Sequence, residues 1–278
     1  LRYAYNNWQS PAPSYVVLFG DGTYDFKNYS GANAPNYIPP FLAYADPYIG
    51  ETAVDERYAC VSGDDVLADM HLGRLPVNAG TGEAQAMLDK IQAYEQGPAS
   101  GSWVSKLLFV ADNADRGGPF EAFSDALIGD YVKPPYSADT AYVRDFSSGA
   151  ACRAAIINAI NDGRLLVNYI GHGAINLWAS EKILRTDDVP SLSNSGKWPV
   201  MLPMTCADGY FIHPSIHSLS ESLVRAQDKG AIASWAPAGY GVISGHDYLN
   251  RGFLDAVLQE GERTLGLATM AGKLYLFQ

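Results

Sequence analysis

Cysteine is scarce in this chain: three residues in 278 cannot build the disulfide framework that staples small secreted domains. Positive charge is scarce as well. Nineteen Lys and Arg stand against thirty Asp and Glu, and the net charge of −11 argues against nucleic acid or an anionic membrane as the main partner. No apolar run approaches the ~20 residues a membrane span needs, and no signal peptide opens the chain. Internal repeats and low-complexity segments are absent too. What is present is enough apolar residue (47%) to bury a real core, in one large domain or two small ones. Residue 1 begins mid-pattern and Gln278 closes an apolar, helix-like run, so further domains of a longer chain are expected. Polar loops rich in Gly, Asn, Tyr and Trp suit a secreted or cell-surface protein.

Taken in order, Tyr15–Phe19 reads as a buried strand ending at the turn Gly20-Asp21-Gly22. Asp21 and Asp25 offer oxygens at alternate loop positions, which would suit a structural calcium, although an ordinary Asp-capped turn is the favoured reading of these residues. Residues 28 to 60 are too long for a structureless loop and are expected to pack over the surface as a functional or capping segment. A strand over Asp69–Arg74 carries a structural His71. A helix follows, with Thr81 as N-cap and Ala84, Met87, Leu88 and Ile91 at i, i+3, i+4, i+7. Gly97–Ser102 reads as a linker between an N-terminal α/β subdomain, residues 1–100, and a second, residues 101–278.

The second part alternates. Leu107–Ala111 is a strand, and Phe120, Phe123, Leu127 and Tyr131 mark a helix. A strand over Thr140–Phe146 precedes a helix capped by Ser148, with Cys152, Ile156 and Ile160 inside and Gly163 beyond its end. Two strands lead to His172 and Cys206. Ser218–Glu221 is a capping box, Ala231–Trp235 a strand, and helices begin near Tyr248 and Thr264. The alternation predicts an α/β fold, a mostly parallel sheet with helices on both faces. Cys60 and Cys152 are expected to be reduced and buried.

The stretches Leu165–Gly173 and Pro199–Gly209 read alike: an apolar run, a reactive side chain (His172, Cys206), then glycine. Uninterrupted apolar runs suit strands buried on both faces, and ligands bind beyond the carboxyl ends of such strands. A thiol beside an imidazole is a nucleophile beside a base. Gly173 lets backbone N–H groups approach a developing oxyanion. Taken singly, each residue also fits a core histidine or a buried thiol.

At these residues the sequence resembles the gingipain-type cysteine peptidases, peptidase family C25. The matching pieces are Asn168–Gly173 with Trp178, Asp187–Asn194, Thr205–Phe211, Ser220–Ala226, Gly230–Ser234 and Thr264–Ala268. Val17–Gly22 and Leu72–Val77 match more loosely. The resemblance implies a caspase-like fold and peptide-bond hydrolysis in protein or peptide substrates, with no cofactor required for catalysis. Cys206 would be the nucleophile, His172 its base, and the N–H groups of Gly173 and Cys206 the oxyanion hole. The carboxylate that orients the histidine would follow the Leu107–Ala111 strand, where Asp112 and Asp115 stand; Asp112, at the strand end, is favoured. Family members that cut after basic residues carry an acid at a position falling near Gly117–Phe120. None is present there, so no requirement for Arg or Lys is expected.

Trp235, at a strand end, is expected to wall the substrate pocket, and Asp208 to orient a substrate amine or cap the turn. His213 and His217 have the i, i+4 spacing of zinc ligands, but Pro214 makes that segment a loop and no third ligand follows. The competing readings are a surface binding or adhesion module that keeps the fold without turnover, and a metal-dependent hydrolase using those two histidines.

Overall fold

The computed structural model describes residues 1–97 and 100–278. Its centre is a five-stranded sheet, all parallel, built from β5 (Lys106–Ala111), β6 (Ser137–Tyr142), β7 (Leu166–Ile170), β11 (Val200–Met204) and β12 (Ala233–Ser234). The spatial order is β12-β11-β7-β5-β6, with β7 in the middle. β7 and β11 are buried at every position, as largely apolar strands covered on both faces require.

The side-chain period of two divides the core into two layers. Leu108 and Val110 of β5, with Val167 and Tyr169 of β7, face α2 (Glu83–Gln96), α4 (Gly149–Asp162) and α5 (Leu219–Arg225). Leu107, Phe109 and Ala111, with Leu166 and Ile170, face α3 (Phe120–Tyr131), α6 (Ile243–Leu254) and α7 (Leu265–Phe277). Asn168 is the polar exception on β7. Its amide N–H groups donate to Asn250 Oδ1 on α6 at 2.8 Å and to Leu202 O at 3.2 Å, while its own Oδ1 is buried without a hydrogen-bond partner.

Ahead of this sheet, α1 (Arg2–Asn7) leads to a parallel pair of β1 (Tyr15–Phe19) and β4 (His71–Leu75), with an antiparallel hairpin of β2 (Leu42–Asp46) and β3 (Gly50–Ala53) between them in sequence. Three short strands, β8 (Gly173–Ala174), β9 (Leu177–Trp178) and β10 (Leu184–Arg185), follow β7 as a separate antiparallel ribbon. Lys90 on α2 is buried and donates to the carbonyls of Val224, Ala226 and Lys229, where α5 leaves carbonyls unpaired.

Several boundaries differ from expectation. α2 begins at Glu83 because Gly82, in the left-handed region, takes the cap position; Thr81 Oγ1 still accepts the Glu83 N–H. The strand expected over Thr140–Phe146 starts earlier and turns into a 3-10 segment at Val143. α6 starts at Ile243 despite Gly245. Residues 28 to 60 hold the β2–β3 hairpin and a 3-10 turn, Asp55–Ala59. Ser148 and Ser218 cap as their patterns predict, Ser218 with Glu221 in a full capping box. Cys60 is half-buried rather than buried. Within the expected linker, Pro98 and Ala99 lie outside the described residues. No described helix is long and apolar enough to cross a membrane.

Candidate active site

β7 and β11 pair in register, Ile170 opposite Met204, so His172 and Cys206 each stand two residues past a matched strand end. Both therefore belong to one edge of the sheet, at its carboxyl ends. Gly173 follows on the inner side of the turn. A Cβ there would overlap the Thr205 hydroxyl and come within 3.3 Å of Cys206 O, so only glycine lets the two loops approach this closely.

The His172 ring is half exposed. Its Nε2 lies 3.0 Å from Asp115 Oδ2 and 3.3 Å from Oδ1, and Phe120 meets the ring edge-on with centroids 5.2 Å apart. Asp115 is brought there by a tight turn closed with Gly118, and its Oδ1 also accepts the Gly117 N–H at 2.7 Å. A Cβ at Gly117 would sit 2.8 Å from the imidazole, so glycine there is what allows the turn to lie against the ring. The Gly117 N–H, and then the imidazole, hold the Asp115 carboxyl below the usual carboxylate range.

Asp112, the carboxylate favoured from the sequence, meets the histidine differently. Its side chain is buried, and Oδ2 accepts the backbone N–H of His172 at 3.2 Å while Oδ1 accepts that of Asn113. Burial pushes its carboxyl up, against those two bonds. The correction is geometric: Asp112 fixes the backbone of His172, and Asp115 reaches its ring. The signal that could have found it is Asp115-Arg116-Gly117-Gly118, a turn sequence that folds the loop back on itself.

Around Cys206 the chain turns at Ala207, whose φ of 56° is left-handed. Ala207 N–H donates to Gly239 O at 2.8 Å and Gly209 N–H to Pro237 O at 2.9 Å; Cys206 Sγ lies 3.9 Å from Gly241 O. Asp208 does not face outward toward substrate. It is fully buried, accepting the Trp178 indole N–H at 2.7 Å and the Ser220 hydroxyl. Trp178 stacks on Tyr169 at 4.4 Å, and the Tyr169 hydroxyl donates to His172 O at 2.6 Å. A buried chain of contacts thus joins the Cys206 turn to the His172 turn. Asp208 closes the inner side of that chain because a buried carboxyl needs donors, and these two supply them.

Burial raises the Asp208 carboxyl to about 7, against the bonds from Ser220 and Trp178. Its folded value then lies above its unfolded one, so between pH 4 and 7 the native state keeps a proton that the unfolded chain has released. The stability this group contributes is fully present near pH 4 and is lost as pH rises toward 7. Asp208→Asn should remove that slope. Urea unfolding of the two proteins across this window should show the variant gaining on wild type with pH, by on the order of a few kcal/mol. Parallel curves would refute the assignment.

Trp235 is turned inward, stacked on Phe253 at 5.6 Å and packed against Gly272 of α7, rather than standing at the sheet edge as expected of a pocket wall. An indole this large finds more apolar contact under two helices than at the sheet edge. Asp21 pairs with Arg225 at 2.6 Å, and Asp25 is bonded to Tyr29 and Ser30, so the two carboxylates do not converge on a calcium. His213 accepts backbone N–H groups of Ser215 and Ile216, while His217 meets Glu221 and Arg225. Among the described residues no group of three or more His, Cys, Asp or Glu is arranged to hold a metal ion.

Comparison with known proteins gives one consistent result. The model of peptidase family C25 matches residues 1–278. Gingipain R2 of Porphyromonas gingivalis (strain ATCC 33277) is 26% identical over 236 residues, covering 78% of this chain and 31% of that protein. Gingipain R1 of Porphyromonas gingivalis is 26% identical over the same length, covering 23% of its own. The chain therefore spans less than a third of these curated relatives. The crystal structure of the Arg-specific cysteine proteinase gingipain R superposes with a TM-score of 0.78 at 22% identity, covering 99% of this chain and 61% of that one. A complex of gingipain pro- and mature domains from the same organism gives 0.75 at 21% identity, covering 99% and 63%. The α/β architecture is the caspase-like one.

Proposed function

The chain belongs to peptidase family C25, and we propose that it is a cysteine endopeptidase in which Cys206 attacks, His172 moves the proton and Asp115 orients the imidazole. The observation that carries this reading is the register of β7 on β11, which brings an imidazole and a thiol to equivalent points on one sheet edge.

In the reaction, His172 takes the thiol proton and Cys206 Sγ bonds to the scissile carbonyl carbon. The carbonyl oxygen gains the negative charge and is met by the N–H groups of Gly173 and Cys206. As the C–N bond breaks, the amine leaves with the proton from His172, and a thioester remains. Water then gives a proton to His172 and its oxygen to the acyl carbon; the acid departs and the thiol is restored. Asp115 keeps Nε2 occupied throughout, so the other ring nitrogen is the one free to exchange protons. No cofactor enters this sequence. Substrates are proteins or peptides met outside the cell or at its surface, and residues 1–100 form an α/β unit adjoining the catalytic one.

Thiol labelling tests the nucleophile. Cys152 is buried, which pushes its thiol up to about 11. Burial also raises Cys60, whose sulfur lies 3.6 Å from Val66 O and 3.7 Å from Glu56 O. In the folded protein iodoacetamide should therefore modify Cys206 first. Mass mapping that finds Cys60 or Cys152 modified before Cys206 removes the basis of the reading.

A further inference from the structure

The loop from Pro237 to Val242 connects β12 to α6 and forms the wall beside Cys206, through the Gly239, Pro237 and Gly241 carbonyls. An open pocket of about 330 Å³ flanks the place where the loop meets the β2–β3 hairpin, with Ala53, Val54, His246, Leu249 and Leu276 on its lining. The His246 imidazole rests against Gly241 from this side. With an open pocket on one side, the loop is held in place by its contacts with the hairpin on the other.

Two side-chain bonds join the hairpin to the loop beside this pocket. Thr52 Oγ1 donates to Ala238 O, and Asp46 Oδ2 accepts the Tyr240 N–H. Asp46 and Thr52 are both buried. The other oxygen of Asp46 accepts the N–H groups of Tyr48 at 2.7 Å and Ile49 at 3.0 Å, so one carboxylate shapes the hairpin tip and holds the loop. Gly239 packs so closely that a Cβ there would lie 2.5 Å from Asp46 Oδ2. Asp46 and Tyr240 are 194 residues apart, which excludes a merely local turn contact.

We propose that Asp46 is a positioning residue: with Thr52 it braces the 237–242 loop against the Cys206 turn, so that the hairpin from the first hundred residues sets the wall against which substrate binds. The proposal rests on the reading of Cys206 as the nucleophile. It assigns the loop-rich segment 28–60 a task that neither the catalytic residues nor the central sheet can perform.

The experiment uses the full chain with Asp46→Ala, Asp46→Asn and Thr52→Val, each checked for cooperative thermal unfolding. With a fluorogenic peptide cut by wild type, Asp46→Ala should lose about tenfold or more in kcat/KM, most of it as a rise in KM, because the wall binds substrate without touching the reacting atoms. Asp46→Asn keeps an acceptor for Tyr240 N–H and should recover at least a third of the loss on a logarithmic scale. Thr52→Val, isosteric and lacking only the bond to Ala238, should lose about two- to fivefold and carries the test if Asp46→Ala does not fold. Wild-type kcat/KM in Asp46→Ala, or a loss lying wholly in kcat, would overturn the proposal. If wild type cuts no peptide, the peptidase reading has failed separately. The brace is then read from the ratio of iodoacetamide labelling at Cys206 to that at Cys60: a threefold change in Asp46→Ala upholds it, and an unchanged ratio overturns it.

Discussion

Replacing Cys206 with alanine is expected to lower peptide hydrolysis by roughly four to six orders of magnitude, the scale seen when a covalent nucleophile is removed. The fold should survive. Cys206 is half-buried two residues past a strand end, its sulfur 3.9 Å from Gly241 O, so losing one atom leaves little cavity. His172→Ala should approach the same loss, since nucleophile and base act as a unit and their deletions do not add. Asp115→Asn should cost less, about a hundredfold, at the low end of what acid–base groups contribute. Its carboxylate and the ring are both half exposed, so water partly substitutes for it. Initial rates of the three variants on one substrate check the order. Residual activity above a few per cent in Cys206→Ala or His172→Ala would sink the dyad, and an Asp112→Asn loss larger than that of Asp115→Asn would reverse their roles.

Cleavage is expected after an uncharged residue rather than after Arg or Lys, even though a related structure is that of an Arg-specific enzyme. A guanidinium entering a closed pocket needs a carboxylate, and lacking one costs roughly 3–5 kcal/mol. At ~1.4 kcal/mol per factor of ten, that forfeits two to three orders of magnitude. The loop after β5 has no carboxylate to offer. Asp115 is engaged with His172 Nε2, and Glu121 is buried with Arg144 at 3.7 Å. Between them Gly118 lies against Ile243, whose Cδ1 is 2.6 Å from where a Cβ would stand, and Phe120 covers the ring edge. These are apolar neighbours. A fluorogenic series differing only at the residue before the cleaved bond decides the matter: Arg or Lys outpacing every neutral residue tenfold would mean that Asp115 or Glu121 turns toward substrate.

The placement of His172 and Cys206 on one sheet edge was legible because it depends on apolar strand runs, which sequence records directly. Two largely apolar runs, Leu166–Ile170 and Val200–Met204, had to be adjacent buried strands, and the residues after them had to share an edge. What sequence does not record is the direction of a side chain once the strand ends. Asp112 sits at the end of β5 and turns inward to a backbone N–H; Asp115 reaches the ring through a reverse turn. Asp208 and Trp235 read as exposed for the same reason, since burial of a loop residue is decided by distant elements, here Ser220 with Trp178 and α6 with α7. The β2–β3 hairpin had a local signal, Asp46-Pro47 followed by Gly50 between short alternating runs. Its contact with the 237–242 loop had none.

Sheet order has a consequence for when a newly made chain becomes capable of reaction. The participants enter synthesis in the order Asp46, Asp115, His172, Cys206, Gly241; two helices and a strand separate β5 from β7, and the β8–β10 ribbon with a 3-10 segment separates β7 from β11. Pairings between distant segments form late, because their closure entropy must be met before any contact rewards it. No stretch shorter than Asp46 to Gly241 contains the thiol, the imidazole, the orienting carboxylate and the braced wall together. On the proposed assignment, a chain stopped before Cys206 holds the imidazole and its carboxylate without the thiol, and one stopped between Cys206 and Gly241 holds the thiol without its wall.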